Sequence, residues 1–133
     1  MFTRRFFSTC ALCGLAGLQY LESANAEQSA GIKRKILQRS DGPLEGYETV
    51  LVEAIIAPDF LIALHTHPGT ESLYCISGGG TLSIKYKPEQ MTQEGTGAHV
   101  PPNTPHMYKN GSAPTKLAIT YVVEKGKPLV SPA

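Results

Sequence analysis

Excess charge of either sign is missing from this chain of 133 residues, in which twelve lysines and arginines face eleven aspartates and glutamates. A surface so nearly neutral lacks the broad field that holds nucleic acid or an anionic membrane. Long helices are missing too, because no window repeats its apolar residues every three to four positions over several turns. The longest apolar stretch, Phe6–Leu21, is interrupted by Gly14 and Gly17 and is too short for a comfortable transmembrane span. Cysteine is scarce: of three, Cys10 and Cys13 lie in that same stretch, which leaves Cys75 alone and excludes an internal disulfide downstream. There is also no Ser-His-Asp arrangement, no phosphate-cradling glycine loop and no pair of acid/base carboxylates.

What is there begins with an export signal. Met1–Arg5 is a short basic segment, Phe6–Leu21 an apolar one, and Ala24-Asn25-Ala26 places small residues for cleavage before Glu27. Thr3-Arg4-Arg5-Phe6-Phe7 resembles a twin-arginine signal, with Ser8 and Thr9 departing from that pattern. Residues 1–26 are thus expected to be removed, and the mature chain 27–133 to be a single domain in the periplasm or outside a bacterial cell. Arg4, Arg5 and Glu22 leave with the signal, so ten basic and ten acidic residues remain. The Cys10/Cys13 pair leaves as well and is no redox motif. Cys75 reads as a buried, inert thiol.

From Glu27 onward, short runs rich in Val, Ile, Thr and Tyr alternate with Gly, Pro and Asn. Strands are expected over Ile32–Arg39, Tyr47–Ile56, Phe60–His67, Ser72–Ser77, Thr81–Tyr86, His106–Asn110 and Lys116–Val123. Gly78-Gly79-Gly80 reads as a hairpin turn, Lys87–Glu94 as a polar loop, and Glu124–Ala133 as an arm laid over the surface or exchanged with a neighbour. Many short strands with this punctuation imply an all-β barrel or sandwich.

Into that frame the sequence sets His65-Thr-His67-Pro-Gly-Thr-Glu71 and, after further strand pattern, His106. Strand side chains alternate faces, so His65 and His67 share one. Glu71 can return to that face after a turn at Pro68-Gly69-Thr70, and His106 would arrive from another strand. Three imidazoles and a carboxylate suit one divalent transition metal: iron, manganese, nickel, copper or zinc.

The two segments together resemble the motifs of the cupins, and the chain is similar to a small single-domain cupin of the cupin-2 type. His65, His67, Glu71 and Gly78 follow the first cupin motif, and Gly95, Pro101, His106 and Asn110 follow the second. Asp59 and Asn103 stand where the motifs carry turn glycines, and both residue types tolerate left-handed backbone. The resemblance implies a jelly-roll barrel (the double-stranded β-helix) with a metal on His65, His67, Glu71 and His106. Iron or manganese is the favoured ion, with zinc, nickel or copper possible; iron or manganese would favour oxygen chemistry, and zinc the hydrolytic, isomerase or binding roles. It also implies a mononuclear oxygenase acting on a small phenolic or diketone-like molecule, with Glu71 as both ligand and catalytic base. A cupin isomerase, or a module that binds a small ligand or the metal without turnover, is the alternative.

Strand alternation extends the site. Counting back from His65 gives Ala63 and Leu61, counting on from Glu71 gives Leu73 and Cys75, and counting on from His106 gives Tyr108. The expected pocket is apolar, with Tyr108 as a polar handle near the metal. His99 is expected in a supporting position or on the surface. Small cupins also resemble one another in dimerising through outer sheets and terminal strands, and a domain of this size has a limited core to bury. The mature protein should therefore scatter light as a homodimer at micromolar concentration, each metal held within one chain; a monomer would contradict this.

Overall fold

The computed structural model describes residues 26–133; the export signal expected over residues 1–26, with Cys10 and Cys13, lies outside the described residues except for Ala26. Eleven strands follow: β1 (Ala26–Ser29), β2 (Ile32–Asp41), β3 (Tyr47–Ile56), β4 (Leu61–Thr66), β5 (Gly69–Ser77), β6 (Gly79–Ile84), β7 (Gln90–Gln93), β8 (Gly97–Val100), β9 (His106–Asn110), β10 (Thr115–Glu124) and β11 (Ser131–Pro132). Among the described residues there is no helix.

The most regular strand is β10, in which Thr115, Leu117, Ile119, Tyr121 and Val123 are buried and the intervening residues only half so. A period of two over ten residues is the pattern of a strand with one face on a core. β3 repeats it, burying Val50, Val52, Ala54 and Ile56. β10 is hydrogen-bonded to β3 on one side and to β5 on the other, within a sheet ordered β1-β2-β3-β10-β5-β8. The second sheet runs β11-β4-β9-β6-β7. The inner faces of the two sheets supply one hydrophobic core, to which Leu73, Leu82, Val100 and Tyr108 also belong. Burying each such side chain contributes about 1.5–3 kcal/mol. The all-β, two-sheet architecture matches the expectation.

Gly78-Gly79-Gly80 is not a hairpin turn. β5 and β6 lie in different sheets, and the glycines carry the chain across from one to the other. Gly78 has φ +78°, and a Cβ there would stand 2.3 Å from the Pro114 carbonyl oxygen, so the crossing is too tight for a side chain. The Gly79 amide donates to Thr115 Oγ1 at 2.7 Å, and the Thr115 hydroxyl donates to Asn110 Oδ1. The hairpin partner of β6 is instead β7, inside the expected polar loop, where Thr92 is buried between exposed neighbours. Two further short strands, β1 and β8, had too few residues to show a period.

Asp59 and Asn103 do adopt left-handed backbone, with φ 58° and 52°. The tail folds onto its own chain: β11 pairs with β4, and the Ala133 amide donates to the Leu64 carbonyl. It is thus a strand of the second sheet and not a surface arm.

Gly69 opens β5 where it passes closest to β10. A Cβ there would meet the Val122 carbonyl oxygen at 2.0 Å and Val123 Cα at 2.6 Å, both backbone atoms that cannot swing away. Gly69→Ala should therefore destabilise the fold by about 1–3 kcal/mol, the usual cost of overpacking. Urea unfolding measures it; an unchanged midpoint would show that the two strands can separate freely.

Candidate metal centre

His65 on β4 and His106 on β9 are direct cross-strand partners in the second sheet. Glu71 comes from β5 in the first sheet, opposite Tyr121 of β10. His67 lies just past the end of β4, in the connection that crosses between sheets, where its carbonyl accepts from the Asn103 amide at 3.0 Å. The four residues are all buried, and their ligand atoms lie within 4.8 Å of one another. The structure thus brings together all four candidate ligands.

What aims them is the backbone. His65 Nδ1 lies 2.7 Å from the Ala63 carbonyl oxygen, His67 Nδ1 2.7 Å from that of Leu129, and His106 Nδ1 2.8 Å from that of Thr104. A carbonyl can only accept, so each Nδ1 carries the proton and donates it. In the neutral ring each Nε2 is then a lone pair. Those of His67 and His106 point at Glu71 Oε2, at 2.9 and 3.1 Å. Lone pairs that close to a carboxylate repel unless positive charge lies between them. His67 Nε2 is fully buried and, although near Glu71, has no aligned hydrogen-bond partner. An orphaned acceptor among converging donors of this kind is what a cation fits.

Burial pushes the Glu71 carboxyl up, but the hydrogen bonds and charges of His106 and His67 outweigh it, and its pKa falls to about 2. Burial also dominates at His65, helped by the two neighbouring imidazoles against the Ala63 hydrogen bond, and lowers it to about 4. His106 moves the other way: desolvation lowers it, but the hydrogen bond to Glu71 wins and raises it. At neutral pH the cluster therefore offers one fixed negative charge on Glu71 and a neutral His65, while His106 holds a proton more firmly than a free imidazole does. A divalent metal would displace that proton.

The wall around the cluster departs in part from expectation. Leu73 and Tyr108 line a cavity next to His65, Glu71 and His106, together with Ile62 and Tyr121. Leu61 and Ala63 do not line it; both face outward, Leu61 with 47% of its surface exposed. The reason is a bulge. Ile62 pairs with Tyr108 and His65 with His106, so β4 spends three residues where β9 spends two, and parity flips between them. Cys75 is buried in the core, away from the cavity wall, and burial raises its thiol pKa. The Tyr108 hydroxyl is engaged with Thr92 Oγ1 at 2.7 Å and is not a handle at the metal. His99 is exposed on the outer face, 3.1 Å from the Ser72 hydroxyl. Sequence reasoning missed Leu129, whose carbonyl holds His67 from sixty-two residues away.

The description of the cupin domain family matches residues 52–124. Solved structures with the same fold include one of the DMSP lyases RdDddP and RnDddQII (TM-score 0.64, 17% identity), of which this chain spans only 52% while 77% of it is covered. A cupin-like protein from Thermotoga maritima matches at TM-score 0.62 and 19% identity, over 77% of this chain and 75% of that one. The polyketide cyclase RemF from Streptomyces resistomycificus matches at TM-score 0.61 and 18% identity, over 82% and 73%. No curated protein shows significant similarity.

Alanine at His65, His67 or His106 should each remove tight metal binding, read as metal per chain after dialysis, whereas Glu71→Gln should weaken it less. Removing residues 129–133 should also weaken it, about ten- to a hundredfold, by freeing the His67 ring. Binding by the intact chain should release a proton and weaken as pH falls, since protons compete for His106. Full retention of metal by any of the three alanine variants would contradict the assignment.

Proposed function

The chain belongs to the cupin family, and on that premise we propose that it is a mononuclear metal-dependent enzyme of the oxygenase type, acting on a small phenolic or enolisable molecule in the periplasm. The observation that supports this reading is the opening of a buried three-imidazole, one-carboxylate cluster onto an apolar cavity. Apolar walls with a few convergent polar groups are the character of small-molecule sites. A divalent metal, iron or manganese above zinc, nickel or copper, would be held by His65, His67, Glu71 and His106 and would supply Lewis acidity and redox chemistry there.

The chain's own residues do the rest. The three carbonyls of Ala63, Leu129 and Thr104 keep the imidazoles in one tautomer and one orientation. Ile62, Leu73, Leu82 and Ile119 exclude water from the cavity, which strengthens every charge interaction inside it. Glu71 is anionic throughout the physiological range, so Oε2 can accept the proton of a hydroxyl or an activated C–H brought beside it.

The interior is small. The cavity measures about 30 Å³, small for an organic substrate. That observation favours a second reading, a module that holds a metal or a small ligand without turnover.

An oxygen electrode separates the two. With iron- or manganese-loaded protein and a simple phenol or β-diketone, the enzyme reading expects oxygen uptake, lowered 10²–10⁴-fold in Glu71→Gln, the usual contribution of a general base. No uptake, together with a saturable rise in melting temperature on adding the same molecule, would establish the binding module instead.

A further inference from the structure

The four candidate ligands are almost closed off: His65 keeps 8% of its surface, Glu71 6%, and His67 and His106 2% each. The cavity beside them measures about 30 Å³, whereas sites that take organic molecules run to about 300–1,000 Å³. Neither an ion nor an organic molecule enters such a site unless part of the chain moves.

Three segments close this end of the sheet pair, and they differ in how firmly they are held. The crossing from β4 to β5 is fixed on both sides, since the His67 carbonyl accepts from the Asn103 amide and the Pro68 carbonyl from the Glu124 amide. Gly69 then lies against the backbone of β10 with no room to shift inward. The turn before His106 is stiffened by Pro101, Pro102 and Pro105, and the Pro105 carbonyl accepts from the Lys85 amide at 2.9 Å. The third segment leaves β10 in the first sheet and crosses to β4 in the second. Its root is firm: the Lys125 amide donates to the Gly46 carbonyl at 2.8 Å, and Lys125 Nζ pairs with Asp41 at 2.6 Å. Gly126 follows, with φ +76° and open space around it. Beyond that glycine the hold is slight. It consists of the Leu129 carbonyl on His67, the Leu129 side chain half-buried against the core, the two-residue ladder of β11 and one bond from the Ala133 amide. Few buried contacts and few backbone bonds mark a segment that opens locally while the rest stays folded.

We propose that residues 126–133 form a strap that gates the metal centre, with Gly126 as its hinge. Swung away, the strap frees the His67 ring and uncovers the cluster to an incoming ion and to a ligand larger than the closed cavity. Laid down, its Leu129 carbonyl turns Nε2 of His67 inward and seals the site. On the reading of the cluster as a metal centre, the strap therefore sets the rate of entry and not only the affinity.

Ser131 and Thr66 are direct cross-strand partners, a spacing that a disulfide spans. Thr66→Cys combined with Ser131→Cys thus gives one protein in two states, with the strap fastened when oxidised and free once a phosphine reductant opens the bond. Manganese(II) is the probe, because its free ion gives an EPR spectrum that fades on binding and thiolates hold it poorly. Added to the metal-free full chain, it should enter the oxidised form about tenfold more slowly than the reduced form, as for any lid that limits access. Both forms should reach the same final occupancy. Equal rates would overturn the proposal. Leu129→Ala keeps the carbonyl and removes the apolar anchor, so it should speed entry. If the disulfide does not form, that variant decides, and an unchanged rate overturns the strap. Failure of the unsubstituted chain to take up manganese would sink the metal reading instead. Labelling of His67 by diethyl pyrocarbonate in the metal-free chain, read by peptide mass, then judges the strap: slower labelling of the oxidised form supports it, and equal labelling overturns it.

Discussion

Three backbone carbonyls facing three imidazole N–H groups are the constraint on which this structure turns. Each hydrogen bond fixes a tautomer, each tautomer turns a lone pair inward, and the three lone pairs meet the buried carboxylate of Glu71. Without positive charge the arrangement is repulsive. With a proton it is tolerable, as the raised His106 and lowered Glu71 pKa values reflect. With a divalent metal, all the lone pairs have one partner. The site is therefore specified by what it needs as much as by what it contains.

The rest of the fold can be understood as the means of holding those carbonyls in place. The bulge in β4 takes Ala63 out of the ladder with β9, which leaves its carbonyl available to His65. The turn through left-handed Asn103 brings Thr104 against His106 and, through its own amide, ties down the backbone of His67. The tail is drawn back by β11, so that Leu129 reaches His67 across the mouth of the sheet pair. Behind them the alternating faces of β3 and β10 form an apolar wall that keeps water out and the local dielectric low. Asn110 serves the same frame, since its amide donates to the carbonyls of Ala57 and Ala113 and its oxygen accepts from Thr115, which pins the end of β9.

Much of this was legible because the ligands sit on strands whose geometry has a fixed period. His65, Glu71 and His106 carry a chemistry that no apolar core needs, and their spacing survives any uncertainty in strand ends. Asp59 and Asn103 announced left-handed backbone by residue type. The failures share a cause: they depend on partners far away in sequence. Counting by twos from His65 put Leu61 and Ala63 inside, and one extra residue in β4, invisible without β9, turned them out. The triple glycine looked like a hairpin because a crossing between sheets needs the same conformational freedom as a tight turn. Leu129 carries no local signal at all, and only the packed structure brings its carbonyl to His67.

The central claim is that one metal ion is held by three imidazoles and one carboxylate. X-ray absorption at the zinc edge of the zinc-loaded chain reads that shell directly. The account predicts nitrogen and oxygen neighbours at about 2.0–2.2 Å with the outer-ring scattering of three histidines. A sulfur neighbour at about 2.3 Å, which would bring Cys75 to the metal, or scattering from fewer than three imidazoles, would contradict it.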